Sequence, residues 1–499
     1  MPSEIVEAFL RVRRERADRP ILVSLSEQRS LTAAAMDEEF VATRATLARA
    51  GIGARELIVS VAGNRAAFFA LVLACFDGDV VLMPADRGTT LAEAMALVDR
   101  WHASALVLAE MVPAEAIGRP HEVVPLPGGL HLIRLTQSTP EPQAYAGGAL
   151  LKLTSGSTGL PKATCTSQRN LLEDTQHITQ GMDIRPDDVQ LGMIPISHAY
   201  GFGNLVMPLI VQGSRCILRD GFVPPAFAPD VGTHRVTVMH GVPFMYDVLL
   251  AQLPAEAWPA SLRLLVSAGA RLEPETIRAF HARFGLKIHS FYGASEAGGI
   301  CFDDGDGLSD TLLVGKPMPG VRVTLKPGEP GAPPDGGRVH VASSAVASGY
   351  AGLSASEQEG FVDGGFLTGD LGYFDEAGQL VLTGRVSSFI NVAGRKVQPD
   401  EVEQTLRQMP EIADVRVLGA PDAKRGQMLV ACLVRRTRGL TALEVRRFCA
   451  ARLAAYKIPR EYLFLDEMPR DERGKTSRRA LEALVADRLS DHGGGPPGR

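Results

Sequence analysis

The chain has no surplus of positive charge. Lysine and arginine number 52 against 57 aspartates and glutamates, giving a formal net charge of −5 and a pI near 6.2. A polyanion such as DNA or RNA is gripped by clustered cations, so nucleic acid is excluded as an expected partner. Cysteine is sparse: six are scattered over 499 residues, with no CxxC pair and no histidine at finger spacing. That excludes a zinc finger or a disulfide framework and predicts buried, reduced thiols in a cytoplasmic protein. Long apolar runs are missing as well. The longest, 66–76, is too short for a bilayer and ends at Asp77 and Asp79, so no membrane span is expected. The opening MPSEIVEAFLRVRRER mixes acids and arginines with apolar residues, unlike a secretory signal. No internal repeat is present.

What remains is a globular composition, 45 % hydrophobic and 22 % charged, long enough for two to four domains or subdomains. From about residue 56, β-branched runs alternate with helical patterns: ELIVSVA, a helix over 65–76, VVLMP, a helix opening at Thr90, then SALVLA. Thr90 with Glu93 forms a capping-box pattern. The alternation resumes with GALLKL, VQLGMIP, RCILR, HRVTVMHG, LRLLVSAG and KIHSFYG. An α/β fold follows, with mostly parallel sheets covered by helices and ligand sites at the carboxyl ends of strands. Beyond residue 300 the pattern turns to hairpins, VRVTL and RVHVAS flanking a Pro/Gly-rich loop over 326–337. The acidic DDGDGLSD misses the EF-hand spacing and reads as a solvated turn. After Arg385 comes an α+β segment with a helix opening at Pro399-Asp400, strands ADVRVLG and MLVACLV, and a helix from Thr441 capped by Glu444. The GGGPPGR tail is expected to be disordered.

Five stretches carry chemistry. LTSGSTGLPKAT follows a predicted strand and is dense in glycine and hydroxyls. Its amides and the side chains of Thr154, Ser155, Ser157 and Thr158, with Gly156 and Gly159 between them, suit phosphate oxygens, and Lys162 adds a cation. It is not a Walker A loop, because Leu-Pro-Lys follows Gly159. In FYGASEAGG, Tyr292 offers a face for a purine and Glu296 a hard oxygen for Mg²⁺. In FLTGD and TGRVSSFINVAGRK, Asp370 suits both ribose hydroxyls and Arg385 can donate to the same sugar. MPRDERGKTSRR presents Lys475 in a Gly-containing loop. Each residue alone has a bland reading as a turn, a cap or a surface cation; the order of all five is what informs.

Together these stretches resemble the adenylate-forming superfamily of acyl-CoA synthetases, peptide adenylation domains and firefly-type luciferases, over about residues 56–480. The resemblance implies a large domain, 1–384, holding ATP and acyl sites with a β-rich subdomain. A small mobile α+β domain, 385–490, and a tail, 491–499, complete it. It implies that Thr154–Lys162 hold the β- and γ-phosphates, that Tyr292 and Gly293 lie at adenine, and that Glu296 binds Mg²⁺. Ser295 falls near the α-phosphate, Asp370 and Arg385 fix the ribose, and Gly269 and Ala270 pass beside adenine and substrate. Lys475 bridges carboxylate and nucleotide, and the segment around Gly394 serves the pantetheine arm after the small domain rotates. Ser387 departs from the family pattern, which has Asp or Lys at this hinge.

In PISHAYGFGN, His198 matches an aromatic or histidine position beside the acyl pocket, and no acid lies between Ile196 and Asn204 to pair with an α-amino group. Val242, Pro243 and Met245 resemble the acyl-CoA synthetase pocket wall. The small Ala297, Gly298 and Gly299 leave room for a fatty or aromatic acid. Coenzyme A is the expected acceptor, with Arg395, Lys396, Lys424 and Arg425 for its phosphates. A carrier protein's phosphopantetheine, a non-catalytic nucleotide sensor and a luciferase-like oxygenase are the alternatives. Serine hydrolysis at Gly293-Ala294-Ser295-Glu296-Ala297 lacks the last glycine of its elbow.

Overall fold

In the computed structural model the runs of β-branched and leucine-rich sequence become strands of three sheets. The structure describes residues 3–492 except 137–144, 146, 155–161, 330–331, 355–356, 387–389, 393–394, 398, 423–425, 438, 454 and 472–475, and gives only the backbone of 391, 395, 396, 426 and 490–492. Two compact units divide the chain. The first comprises Met1–Thr324, His340–Thr368 and Glu376–Leu380; the second Leu325–Val339, Gly369–Asp375 and Val381–Arg499.

In the first unit, β1 (Leu57–Val61), β2 (Val81–Pro84), β3 (Ala105–Leu108) and β4 (Leu150–Thr154) run parallel in the spatial order β3-β1-β2-β4. β5 (Lys162–Thr166) returns antiparallel beside β4, pairing Thr154 with Lys162. A hairpin of His121–Pro125 and His131–Leu135 closes the other edge. Strand alternation splits the side chains between two cores: Ile58, Leu82 and Leu150 face one, Leu57, Val59, Val81 and Leu151 the other. The second sheet is parallel through β6 (Val189–Gly192), β7 (Arg215–Leu218), β8 (Val238–Gly241), β9 (Leu264–Ser267) and β10 (Ile288–Ala294), and then turns antiparallel into β11 (Gly298–Phe302).

The helix α1 (Ala67–Asp77) has ten of its eleven residues buried and joins the core that both sheets share. Its AFFALVLACF run is apolar on every side, as a helix enclosed by protein must be. Only one face of α2 (Leu91–Arg100) is buried, and Thr90 and Glu93 close its capping box in both directions. Thr441 and Glu444 do the same for the helix Ala442–Ala450.

The second unit holds a five-stranded sheet. Along Ile412–Asp422 and Gly426–Arg435 odd-numbered residues such as Val415, Val417, Leu429 and Leu433 pack into one cluster. Even-numbered Leu418, Ala420, Val430 and Cys432 pack into another, which the helix Arg478–His492 covers with Leu481 and Val485.

The α/β class and the strands expected over 56–294 stand. All six cysteines are free and buried, and burial pushes the thiols of Cys75, Cys216 and Cys432 up to about 12. Among the described residues no helix is long and apolar enough to cross a membrane. The acidic loop at 303–310 is more than a solvated turn: Asp303 is 2 % exposed and pairs with Lys287 at 2.8 Å, whose ammonium also donates to the carbonyls of Gly305 and Gly307. Lys287, just before β10, had to be buried for this, and nothing local in DDGDGLSD signals it.

Candidate active site

The β4–β5 hairpin delivers Thr154 and Lys162 to the two ends of the glycine-hydroxyl stretch. Thr154 Oγ1 donates to the Lys162 carbonyl at 3.3 Å. Lys162 Nζ lies 4.9 Å from the centre of the Tyr350 ring and 3.4 Å from Glu359 Oε2. The Tyr350 hydroxyl in turn donates to Glu296 Oε1 at 2.9 Å. Burial raises the Tyr350 pKa, and the Glu296 carboxylate raises it further, so the proton stays on the phenol. Gln358 grips Tyr350 at both backbone groups, accepting its N–H at 2.6 Å and donating to its carbonyl at 2.9 Å. Glu296, Tyr350 and Lys162 therefore form one contiguous cluster of an acid, a phenol and a cation.

The turn carrying Glu296 joins β10 to β11 and is packed to the limit. A Cβ on Gly293 would come within 2.8 Å of the Gly298 carbonyl oxygen. Gly298 has a φ of +70°, and a Cβ there would fall 2.3 Å from Asp174 Oδ1. Asp174, on the helix α3 (Gln168–Gly181), accepts the Gly299 N–H at 2.8 Å. The Ser295 carbonyl accepts from Thr164 Oγ1 at 3.4 Å and that of Glu296 from the Ala347 N–H at 2.8 Å. Tyr292 is 8 % exposed, and its hydroxyl lies 3.4 Å from Thr368 Oγ1. Gly269, with a φ of +81°, and Ala270 form an exposed bend after β9.

Two buried charges stand behind this turn. Lys152 on β4 is 6 % exposed and Asp174 is 5 % exposed. Burial lowers the pKa of Lys152, against the pull of Asp174 and Glu296. Burial raises the pKa of Asp174, opposed by Lys152, the Gly299 N–H and His177.

In the same unit His198 Nε2 is 2.7 Å from Asp86 Oδ2. Beyond it Tyr200 packs on Phe291 at 5.7 Å and on His240 at 6.0 Å between ring centres. His240 is fully buried, bonded to Gln190 at 2.8 Å, and burial lowers its pKa to about 3, so it is neutral. Val242 stands just before the helix Pro243–Gln252, on which Met245 is buried. In the second unit Asp370 Oδ1 pairs with Arg385 Nε at 2.9 Å.

Thus Thr154, Lys162, Ser295 and Glu296 are brought together, Asp370 joins Arg385, and His198 is paired with Asp86. Ser155, Gly156, Ser157, Thr158, Gly159, Ser387, Gly394, Lys424, Arg425, Lys475 and the tail from 493 lie outside the described residues, as do the side chains of Arg395 and Lys396. Tyr350, Lys152, Asp174 and Asp86 are not among the sequence candidates. Two left a readable trace: Lys152 interrupts the apolar LLKL strand, and Asp174 shares a helix face with Leu171, Thr175 and Ile178. Tyr350 and Asp86 left none.

Among the described residues no three His, Cys, Asp or Glu side chains gather as a metal cage.

The AMP-binding enzyme family matches residues 9–351, and the AMP-binding enzyme C-terminal domain matches 401–475. Sulfoacetate–CoA ligase of Cupriavidus necator is 33 % identical over 349 residues, 68 % of each chain. A 2-succinylbenzoate–CoA ligase of Bacillus cereus is 31 % identical over 337 residues, 67 % of this chain and 69 % of that one. The fold is shared with o-succinylbenzoate CoA synthetase of Bacillus subtilis in complex with its acyl-adenylate intermediate, at a TM-score of 0.79 and 23 % identity, covering 97 % of this chain and 98 % of the other. With a family match across more than half its length, this chain belongs to the AMP-binding enzymes.

Proposed function

We propose that this protein uses ATP to convert a carboxylic acid into its acyl adenylate, releasing pyrophosphate, and then passes the acyl group to the thiol of coenzyme A. The observation that carries this reading is the Glu296–Tyr350–Lys162 cluster beside the Thr154–Lys162 hairpin. A carboxylate that attacks the α-phosphorus of ATP brings two anions together. Catalysis of such a step is chiefly the placing of positive charge where negative charge builds. Lys162, held over the Tyr350 ring, supplies one such charge at the end of the phosphate-binding turn. Glu296 has one oxygen engaged by the Tyr350 hydroxyl and offers the other to a cation. Mg²⁺ bound there supplies charge neutralisation of the phosphate oxygens. In this reading Tyr292 stacks on adenine, Asp370 and Arg385 hold the ribose, and Lys475 is the cation for the reacting carboxylate.

Thioester formation follows when coenzyme A's thiol attacks the acyl carbon and AMP leaves, with Gly394 lining the path of the pantetheine arm. Arg395, Lys396, Lys424 and Arg425 are the cations for its phosphates. Two of the relatives are named as CoA ligases for sulfoacetate and 2-succinylbenzoate, and the acid here is of the same acyl or aryl kind. The six buried thiols suit a reducing compartment, the cytoplasm.

The test is pyrophosphate release across aromatic, short-chain and long-chain acids, with and without coenzyme A. Acid-dependent release that becomes thioester formation only when the thiol is present is the expected result. Tight ATP binding with no release over the whole panel would refute the reading.

A further inference from the structure

Loops at the carboxyl ends of β1, β2, β6 and β7 lock together around His198. Asn64, after β1 and 5 % exposed, donates to the carbonyls of Ile194 at 3.0 Å and Arg219 at 2.9 Å and accepts the Ile196 N–H at 3.0 Å. It thereby fixes the backbone leading to His198. Gly201 closes the segment from the other side, since a Cβ there would fall 2.2 Å from the Pro195 carbonyl oxygen. Arg87, after β2, reaches Asp220, after β7, at 2.7 Å. Within this frame Asp86 turns one carboxylate oxygen to the Gly88 N–H at 3.1 Å and the other to His198 Nε2 at 2.7 Å. The His198 and Asp86 side chains are 24 % and 20 % exposed, so the pair is half-buried and open on one side.

A carboxylate can only accept, so Nε2 of His198 carries the proton whatever the charge on the ring. The ring's other nitrogen, Nδ1, bonds to no described residue. We propose that Asp86 is a positioning residue for acid specificity. It fixes the plane and the protonated nitrogen of His198, so that Nδ1 is the atom offered to a polar substituent on the acyl group. This rests on the acid-activating reading above and narrows it. The preferred acid carries a hydroxyl, an amino or a second acidic group rather than a bare hydrocarbon chain. A neutral ring accepts from a hydroxyl or amine through Nδ1, and a protonated ring donates to an acid group through the same atom, while Asp86 keeps the geometry unchanged in both cases.

Asp86→Asn tests this, because an amide of equal size can either donate or accept and no longer dictates which nitrogen is protonated. Two measurements are made on the full chain. The first is the ¹⁵N spectrum of histidine-labelled protein, with the His198 signals assigned by their loss in His198→Asn. The second is kcat/KM for benzoate, the three hydroxybenzoates, 3-aminobenzoate and phthalate. Expected are an Nε2-protonated ring in the parent that becomes a tautomer mixture in Asp86→Asn, and a fall of about tenfold in the ratio of the best polar acid to benzoate, the worth of one hydrogen bond. An unchanged ring spectrum, or the same fractional loss for every acid, would overturn the proposal. If no acid of the panel releases pyrophosphate in the parent, the acid-activating reading fails for aryl acids, and the nitrogen spectrum still decides the role of Asp86.

Discussion

Replacing Lys152 by methionine should destabilise the protein most at high pH, and replacing its partner Asp174 by asparagine should do the opposite. At 6 % and 5 % exposure neither group can be discounted for contact with bulk water. Burial raises Asp174 above its ordinary 3.8, so the stability linked to its protonated form is complete below 3.8 and lost as pH rises through the folded-state value. Lys152→Met removes the cation that opposes this rise. If Asp174 is then held neutral, the cost at about 1.36 kcal/mol per pH unit has a ceiling of ~4 kcal/mol at pH 7 and ~2 kcal/mol at pH 5. Lys152 is lowered from 10.5, so the stability linked to its neutral form is complete above 10.5 and lost as pH falls through the folded-state value. Asp174→Asn therefore has a ceiling of ~5 kcal/mol at pH 7 and ~2 kcal/mol at pH 9. Asparagine keeps an oxygen for the Gly299 N–H, which isolates the charge effect. Scanning calorimetry of parent, both single variants and the double variant at pH 5, 7 and 9 reads this out as differences in midpoint, at roughly 2 °C per kcal/mol. The double variant should recover most of the loss, because removing both buried charges leaves neither uncompensated. Equal shifts at all three pH values, or additive losses in the double variant, would refute the reasoning.

Tyr350→Phe deletes the hydroxyl that orders Glu296 and should lower acid-dependent pyrophosphate release about tenfold with little change in unfolding midpoint; parental rates would detach Glu296 from the chemistry. Gly298→Ala forces a Cβ toward Asp174 at a positive φ and should cost more than about 1 kcal/mol, seen as a lowered midpoint, so an unchanged midpoint counts against the packing described for this turn. Lys475→Ala should abolish adenylate formation yet largely spare thioester formation from a supplied acyl adenylate; equal loss in both half-reactions contradicts the role given to this lysine.

Local signals in the sequence were enough for much of the fold. Strands β1 to β4 and β6 to β10 follow from β-branched runs between turn signals, whereas β5 is not among the expected strands, and both capping boxes formed because Thr90–Glu93 and Thr441–Glu444 satisfy backbone groups within one turn. The pattern over 65–76 announced a helix, because it depends on residue type and near spacing alone. The N-terminal helices Glu4–Arg16 and Ala33–Arg49, with their strands, lie ahead of the alternation that begins at about residue 56.

Only the tertiary structure could decide which distant residues serve the site. Tyr350 reaches Glu296 across 54 positions, Asp86 meets His198 across 112 and Asn64 meets Ile196 across 132. These partners are joined by how loops at the strand ends converge when two sheets share a core, and no periodicity within a chain encodes that. Sequence by itself determined the elements and the nucleotide chemistry, because hydrogen bonding within a turn and hydrophobic alternation are short-range. Folding decided the hydrogen-bond partners of Glu296 and His198, because those depend on the packing of segments that the chain keeps far apart.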